Sequence, residues 1–142
     1  WRGTAGGVAA ARAGHDVVMA PDSHTYFDHY QSQEPGEPLA IGGFLPLEKV
    51  YEFEPIPAEL TPQEAQHILG AQAQLWTEYM KGPGHVEYMA FPRLLALAEV
   101  VWSARERKEL AGFLARVAVH EQRLAGLGVN FKPLQRDTAQ SK

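Results

Sequence analysis

Trp76 and Glu78 stand two positions apart at the end of a stretch that spans residues 67–79. In an extended strand, side chains two positions apart point to the same face. A flat indole beside a hydrogen-bond acceptor suits a sugar, which has an apolar ring face and a rim of hydroxyls. Spacing by itself favours a core position for Trp76 over a sugar-binding one. The pair is therefore a candidate whose role depends on the elements around it.

The element that must position this pair is a strand predicted at 68–75. It begins as a short apolar run without alternation, which is typical of a parallel strand covered on both faces. A second short strand is predicted at 16–20 and is stopped by Pro21. Strands that alternate with helices indicate βαβ units, which place chemistry at the C-terminal ends of their strands.

Two less regular regions surround the first strand. A helix is predicted to run through Val8 and to end near Gly14, after a loop that contains Gly3, Gly6 and Gly7. Residues 22–60 form a connection whose length indicates a functional loop, with a short helix at 45–51 that has Pro46 near its first turn. The polar and aromatic candidates in this loop are Asp22, His24, Tyr26, Asp28, His29 and Tyr30.

The second half of the chain is mainly helical. Thr61–Glu64 has the pattern of a capping box and predicts a short helix before the strand. A long helix is predicted at 85–102, with a kink at Pro92. A second capping box at Ser103–Glu106 predicts an amphipathic helix that continues to about Leu124 and is ended by glycines.

Composition limits the class of protein. The 142 residues are 45% hydrophobic, enough for one globular domain. A net charge of −4 argues against nucleic acid and anionic membranes as partners. The chain has no cysteine, hence no disulfide or thiolate metal site, and no apolar run near the ~20 residues of a membrane span. No signal peptide is visible. Because the first residue is Trp1 and not Met, we expect a piece of a longer product.

Five blocks of sequence occur in order along the chain. They are Trp-Arg-Gly at 1–3, Gly-His-Asp-Val-Val-Met-Ala-Pro at 14–21, Tyr-Phe-Asp at 26–28, Gly-Ala-Gln-Ala-Gln-Leu-Trp-Thr-Glu at 70–78 and His-Val-Glu-Tyr-Met-Ala-Phe-Pro-Arg at 85–93, the last continuing to Ser103. Together they resemble the C-terminal part of the catalytic barrel of family-20 glycoside hydrolases, the β-N-acetylhexosaminidases. The order of five blocks makes this resemblance specific.

The resemblance implies an α/β fold, namely the C-terminal portion of a (β/α)8 TIM barrel with about its last two strands and closing helices. Residues 1–132 would form this segment and residues 133–142 a polar tail. Trp1 would follow the sixth strand, and the strands at 16–20 and 68–75 would be the seventh and eighth. The active site would lie at the C-terminal ends of those strands.

The resemblance also implies a reaction. In this family the acetamido oxygen of the substrate attacks the anomeric carbon and forms an oxazolinium ion, an exception to the usual pair of carboxylates. A neighbouring Asp-Glu pair orients the acetamide and protonates the leaving oxygen. No Asp-Glu dipeptide occurs in this chain. We therefore expect the chain alone not to hydrolyse glycosides.

By resemblance, Tyr26 is the catalytic tyrosine whose hydroxyl donates to the acetamido oxygen. Asp28 and Glu78 would accept hydrogen bonds from sugar hydroxyls. Trp76 would stack under the sugar, and Trp1 would form a wall of the acetamido pocket. The alternatives are a packed loop tyrosine, a turn-forming aspartate, a core tryptophan, a solvated glutamate and a Trp1 that only marks the chain terminus.

Other residues receive no substrate role. Trp102 is predicted to pack in the core or between helices. Arg2, His24 and His29 lie near the pocket in sequence and are assigned structural roles. Some family members have another tryptophan near the position of residues 41–44, so the aglycone side is expected to differ here. The histidines lack metal-ligand spacing, and neither a metal nor a cofactor is predicted.

Two classes of function follow from these observations, besides a stable fragment with no function of its own. The first is a segment of an enzyme, which predicts an upstream barrel segment as its partner. The second is a non-catalytic sugar-binding or interaction module derived from the same barrel. Both predict glycans that end in N-acetylglucosamine or N-acetylgalactosamine as ligands. Uncovered strand edges and apolar faces also predict self-association.

Overall fold

A computed structural model describes residues 1–135 as an α/β structure with a two-stranded parallel sheet. The strands are β1 (Val17–Met19) and β2 (Ile68–Ala71). The helices are α1 (Ala5–Arg12), α2 (Asp22–Thr25), α3 (Leu47–Glu52), α4 (Pro62–Ala65), α5 (Pro83–Ala90), α6 (Arg93–Trp102) and α7 (Leu110–Gly126), and a 3₁₀ turn spans Arg105–Arg107. Within the described part of the chain, no helix is long and apolar enough to cross a membrane.

The two strands pair in parallel with each other. The strands predicted at 16–20 and 68–75 are confirmed in position, although β2 ends at Ala71, well before residue 75. The register is irregular before Val18, whose partner Gly70 has φ of +140°. A side chain would be strained in that backbone conformation, which explains the glycine within a strand.

Helix α1 begins at Ala5, so the loop predicted at Gly6 and Gly7 is wrong. Gly7 instead allows close packing, because a Cβ at this position would lie 2.6 Å from the Met19 Sδ. Gly14 follows the helix with φ of +79°, as its predicted place at the helix end requires. Helix α1 therefore packs closely against β1 at Gly7, where there is no room for a side chain.

One apolar core joins the sheet to the helices. Its members come from both strands, from the loop before α3, from the residue after α3, and from α1, α3, α6 and α7: Ala11, Met19, Phe27, Leu45, Leu47, Val50, Tyr51, Phe53, Ile68, Ala96, Leu97, Val100, Phe113 and Val117. The Tyr51 and Phe113 rings stack with centroids 4.4 Å apart. Non-directional burial of this kind is the main favourable term for folding.

The long helix predicted at 85–102 is two helices. Helix α5 ends at Ala90, and Phe91 is extended with φ of −104° and ψ of 139°. Proline disfavours the helical conformation in the residue before it, so Pro92 interrupts the helix instead of kinking it. Helix α6 then begins at Arg93, whose side chain is fully buried.

The two predicted capping boxes have different outcomes. The box at Thr61–Glu64 is confirmed, since each side chain accepts a hydrogen bond from the other residue's backbone N–H. The box at Ser103–Glu106 is wrong. Helix α7 begins later, at Leu110, because the Glu109 carboxylate accepts hydrogen bonds from two N–H groups of its first turn. Helix α3 is close to its prediction, with Pro46 immediately before its first residue.

Two predictions concern the C-terminal part of the chain. Trp102 is 89% exposed at the end of α6, so its predicted packing role is wrong. Leu134 packs against the core, and its N–H donates to the Glu121 carboxylate. The rest of the predicted tail, residues 136–142, lies outside the described residues.

Candidate functional site

An open cleft of about 520 Å³ is lined largely by residues that follow β1 and β2 along the chain. Parallel strands place their C-terminal ends at the same edge of a sheet, which brings these residues together. The lining residues are Trp1, Asp22, Tyr26, Asp28, His29, Ile41, Gly42, Gly43, Trp76 and Glu78. All five residues predicted for substrate are among them. Their individual roles stay predictions.

Backbone pairing holds the two halves of the cleft side by side. Tyr26 forms an isolated parallel bridge with Gln74. The Phe27 N–H donates to the Gln74 carbonyl, and the Gln74 N–H donates to the Thr25 carbonyl, each at 2.8 Å. The buried Thr25 hydroxyl also donates to the Pro21 carbonyl at 2.7 Å. The segment that carries Tyr26 is therefore fixed to the segment that carries Trp76.

Trp76 and Glu78 reach the cleft by a different route from the predicted one. Strand alternation was the basis for placing them on one face, but β2 ends at Ala71 and Glu78 lies in a turn. Trp76 is 54% exposed, which excludes a core position. Trp1 is also exposed and has the Arg2 guanidinium 5.0 Å from its ring centroid. Both indole rings are accessible to a ligand.

Asp28 is the most buried acid of the cleft. It is 5% exposed, and its Oδ1 has no hydrogen-bond partner within the described chain. Burial raises the pKa of the Asp28 carboxyl, and the nearby Glu78 acts in the same direction, while His29 and Arg93 oppose the rise. A buried carboxylate oxygen without a donor is costly, so Asp28 is suited to accept a hydrogen bond from a ligand hydroxyl.

Residues 41–43 form a wall of the cleft, although their sequence predicted no role for them in the site. Gly43 has φ of +66°, and a Cβ there would lie 2.8 Å from the His29 ring. The glycine therefore lets the loop close against His29 at the rim of the cleft. A Gly-Gly pair is a turn signal, but only the contact with His29 shows where this turn is placed. Asp22 was also not assigned and lines the same cleft.

Arg93 is a further residue that the sequence prediction missed. It is fully buried beneath the Tyr26–His29 segment and donates to backbone carbonyls, among them those of Phe27 and His29. Its guanidinium carbon lies 4.9 Å from the Phe27 ring centroid. Burial lowers its pKa to about 9. The one signal in the sequence that could have found it is an arginine at the start of an apolar helix.

His24 lies away from the cleft lining. Its ring stacks on Phe53 with centroids 5.1 Å apart. Burial lowers the pKa of His24, and Lys49 acts in the same direction. Among residues 1–135, no group of three or more His, Asp or Glu side chains is arranged to hold a metal ion.

A larger cavity of about 690 Å³ lies elsewhere, between residues 31–34, α7 and residues 132–135. None of the residues predicted for substrate lines it. We assign the site to the smaller cleft because two accessible indoles, a tyrosine and three carboxylates converge there. Size alone is a weaker criterion than convergent polar and aromatic groups.

Comparison with known families gives a direct match. The sequence profile described as "Glycosyl hydrolase family 20, catalytic domain" matches residues 1–105. A β-hexosaminidase from Porphyromonas gingivalis is 46% identical over 132 residues, which is 92% of this chain and 17% of the relative. A β-N-acetylhexosaminidase from Cellulomonas fimi is 37% identical over 116 residues, covering 80% of this chain and 23% of the relative.

Solved structures give the same result. A family-20 exo-β-N-acetylglucosaminidase from Vibrio harveyi, in complex with N-acetylglucosamine, superposes with a TM-score of 0.82 at 36% identity. The match covers 94% of this chain and 21% of that enzyme. A family-20 β-N-acetylhexosaminidase from Streptomyces coelicolor has a TM-score of 0.77 at 28% identity, with 89% and 26% covered. The chain thus spans between about a sixth and a quarter of the length of these four relatives.

Proposed function

The chain belongs to glycosyl hydrolase family 20, and we propose that it supplies the sugar-binding side of a β-N-acetylhexosaminidase active site, as the C-terminal part of a catalytic barrel. One observation carries this proposal. Trp1, Tyr26, Asp28, Trp76 and Glu78, which are far apart in sequence, line one cleft. The ligands would be glycans that end in N-acetylglucosamine or N-acetylgalactosamine.

In the proposed mechanism, the acetamido oxygen of the substrate attacks the anomeric carbon as the bond to the leaving oxygen breaks. The Tyr26 hydroxyl donates to the acetamido oxygen and holds it in line, which replaces a bimolecular encounter by a positioned one. Trp76 stacks against the apolar face of the sugar. Asp28 and Glu78 accept hydrogen bonds from its hydroxyls. Their carboxylates thereby fix the ring in register with Tyr26.

The proton for the leaving oxygen must come from another segment in this proposal. The family uses an Asp-Glu pair for this step, and the chain contains no such dipeptide. The alternative function is a sugar-binding module without turnover. The same cleft would bind the sugar, and the lack of an Asp-Glu pair would explain why no hydrolysis occurs. Turnover and binding therefore have to be measured separately.

The test is a chimera in which this chain replaces the matching segment of the Porphyromonas gingivalis relative. We expect the chimera to release p-nitrophenol from p-nitrophenyl N-acetyl-β-glucosaminide and the isolated chain to release none. In the chimera, Tyr26→Phe should lower kcat by roughly a hundredfold, the usual effect of removing one donor to the reacting oxygen. Tyr79→Phe, outside the cleft lining, is the matched control and should keep full activity.

Each other outcome has a defined meaning. A folded chimera without turnover would exclude the enzyme-segment proposal, and binding of N-acetylglucosamine by the isolated chain would then favour the module. Release by the isolated chain that Tyr26→Phe abolishes would show that the chain carries its own acid. Relative rates with the corresponding galactosaminide measure the preference between the two sugars.

A further inference from the structure

Arg93 is a fully buried arginine, and its hydrogen bonds to residues 1–135 all go to backbone carbonyls. Its Nε and Nη2 donate to the Met89 carbonyl at 3.2 and 2.6 Å, which ties it to α5. Nη2 also donates to Phe27, and Nη1 to His29 and Leu45. One guanidinium therefore connects the helix break to two separate parts of the cleft loop.

The first part is the backbone on either side of Asp28. The Phe27 carbonyl accepts from Nη2 at 2.5 Å, and the His29 carbonyl accepts from Nη1 at 3.0 Å. The guanidinium also lies on the Phe27 ring, at 4.9 Å from its centroid. The Phe27–Asp28 peptide and the His29–Tyr30 peptide, one residue before and one after Asp28, are thus held by one rigid, planar group. This fixes the direction in which the Asp28 side chain leaves the backbone.

The second part is the base of the loop that carries the cleft wall. Nη1 donates to the His29 and Leu45 carbonyls at the same distance, 3.0 Å. These two carbonyls stand at the beginning and the end of the excursion through residues 30–44. The Leu45 N–H closes the same base by donating to the Tyr30 carbonyl at 2.9 Å. Arg93 therefore connects the residue after Asp28 to the end of the loop that carries the wall at 41–43.

The forked shape of arginine is required for this arrangement. Five donors in a fixed plane can reach several carbonyls at once, whereas the compact ammonium of lysine offers three donors on a flexible stem. An apolar side chain would fill the space but would leave buried carbonyls without partners, which is costly. The acidic and phenolic groups that act on Arg93 are Asp28, Glu37 and Tyr88.

We propose that Arg93 is a positioning residue for the sugar site, which holds Asp28 and the wall at 41–43 at the spacing that the ligand requires. The proposal rests on the proposed function for its ligand. Arg93 would act on the ligand only through the backbone that it holds, since its side chain is buried and does not line the cleft.

The first experiment measures amide hydrogen exchange in the 142-residue chain and in Arg93→Lys. We expect exchange to rise about tenfold or more at residues 26–30 and 41–45, while α7 is unchanged, because local opening is then easier than global unfolding. Arg116→Met is the control, since it removes an exposed arginine of α7 that pairs with Glu99 of α6 and lines no part of the cleft. An equal rise in all elements would mean a merely structural role and would overturn the proposal.

The second experiment places the same variants in the chimera described above. Arg93→Lys should raise KM by roughly tenfold with a smaller change in kcat, because misplaced binding groups weaken the hold on the sugar. Arg93→Met should also move the acidic limb of the pH profile upward, because the loss of the cation raises the pKa of Asp28, which His29 and Glu78 also influence. If Arg93→Met does not fold, the KM of Arg93→Lys alone tests the positioning role.

The failures of the two proposals are distinguishable. A wild-type chimera without turnover counts against the proposed function, and exchange in the isolated chain still shows whether Arg93 holds the loop. An active chimera whose KM is unchanged in Arg93→Lys overturns the positioning role, even if the loop exchanges faster. An unchanged loop in Arg93→Lys overturns it as well.

Discussion

Tyr26 and Gln74 pair as an isolated parallel bridge beyond the ends of β1 and β2. The bridge continues the contact between the two strands after regular pairing has stopped at Ala71. Trp76 is only two residues past Gln74, so the bridge brings the segment that carries the indole beside the segment that carries Tyr26. The two backbone hydrogen bonds of this bridge thus join the segment of the group proposed for chemistry to the segment of the group proposed for sugar stacking.

We expect Gly43→Ala to disturb the cleft more than the same substitution at a matched glycine outside it. The new Cβ would meet the His29 ring at 2.8 Å in a backbone with φ of +66°. Gly36→Ala is the control, because Gly36 also has positive φ, of +96°, but no atom within 4 Å of its Cβ position. Both changes should cost about 1 kcal/mol for the backbone. Only Gly43→Ala should also shift the NMR signals of His29.

Stability should depend on the ionisation of Asp28. Burial raises its pKa in the folded chain, so between the unfolded and folded pKa values the folded chain binds more protons. The free energy of unfolding then falls as pH rises through that window. Asp28→Asn should therefore be more stable than the wild type at pH 7, and this difference should vanish below the unfolded pKa of about 3.9.

Urea unfolding at pH 3 and pH 7 measures this effect. Asp22→Asn, which changes a less buried carboxylate of the same cleft, is the control. The Asp28→Asn variant should also bind N-acetylglucosamine more weakly, as expected for a site that trades stability for ligand binding. A wild type that is more stable than Asp28→Asn at pH 7 would contradict the predicted cost of ionising Asp28.

Glu109→Ala should destabilise the chain by about 1 kcal/mol, the usual effect of losing an N-cap side chain. Its carboxylate accepts hydrogen bonds from the Ala111 and Gly112 N–H groups at the start of α7. Glu106→Ala is the matched control, since Glu106 belongs to the capping box that does not form. Thermal unfolding followed by circular dichroism compares them. Equal losses would mean that Glu106 caps after all.

We expect the isolated chain to self-associate. Trp102, Leu69 and Val18 are 89%, 65% and 48% exposed, and in the described part of the chain the sheet has only two strands. Exposed apolar surface and open strand edges favour association. Light scattering at high concentration should show dimers or larger species. The Trp102→Gln variant should form fewer of them than the wild type. A clean monomer throughout the concentration range would rule this out.

Sequence patterns predicted local structure well where a local cause dominates. Thr61 and Glu64 satisfy each other's backbone groups, so their capping box forms as predicted. The box at Ser103 has the same pattern but does not form, because the Glu109 carboxylate caps the helix from a later position. Where two residues could each cap the start of a helix, tertiary packing determines which one does. The sequence pattern alone does not show the outcome.

The sequence by itself determined which residues are candidates for the site. The order of five blocks identified the family, and Tyr26, Asp28, Trp76 and Glu78 came from positions within those blocks. The tertiary structure decided how they meet, through a bridge at Gln74 and not through the strand alternation first inferred for Trp76. It also decided the contacts of Arg93, because a guanidinium that bonds carbonyls 48 and 64 positions away leaves no periodic signal in the sequence. Local patterns report neighbours along the chain, whereas a cleft is built from contacts between distant segments.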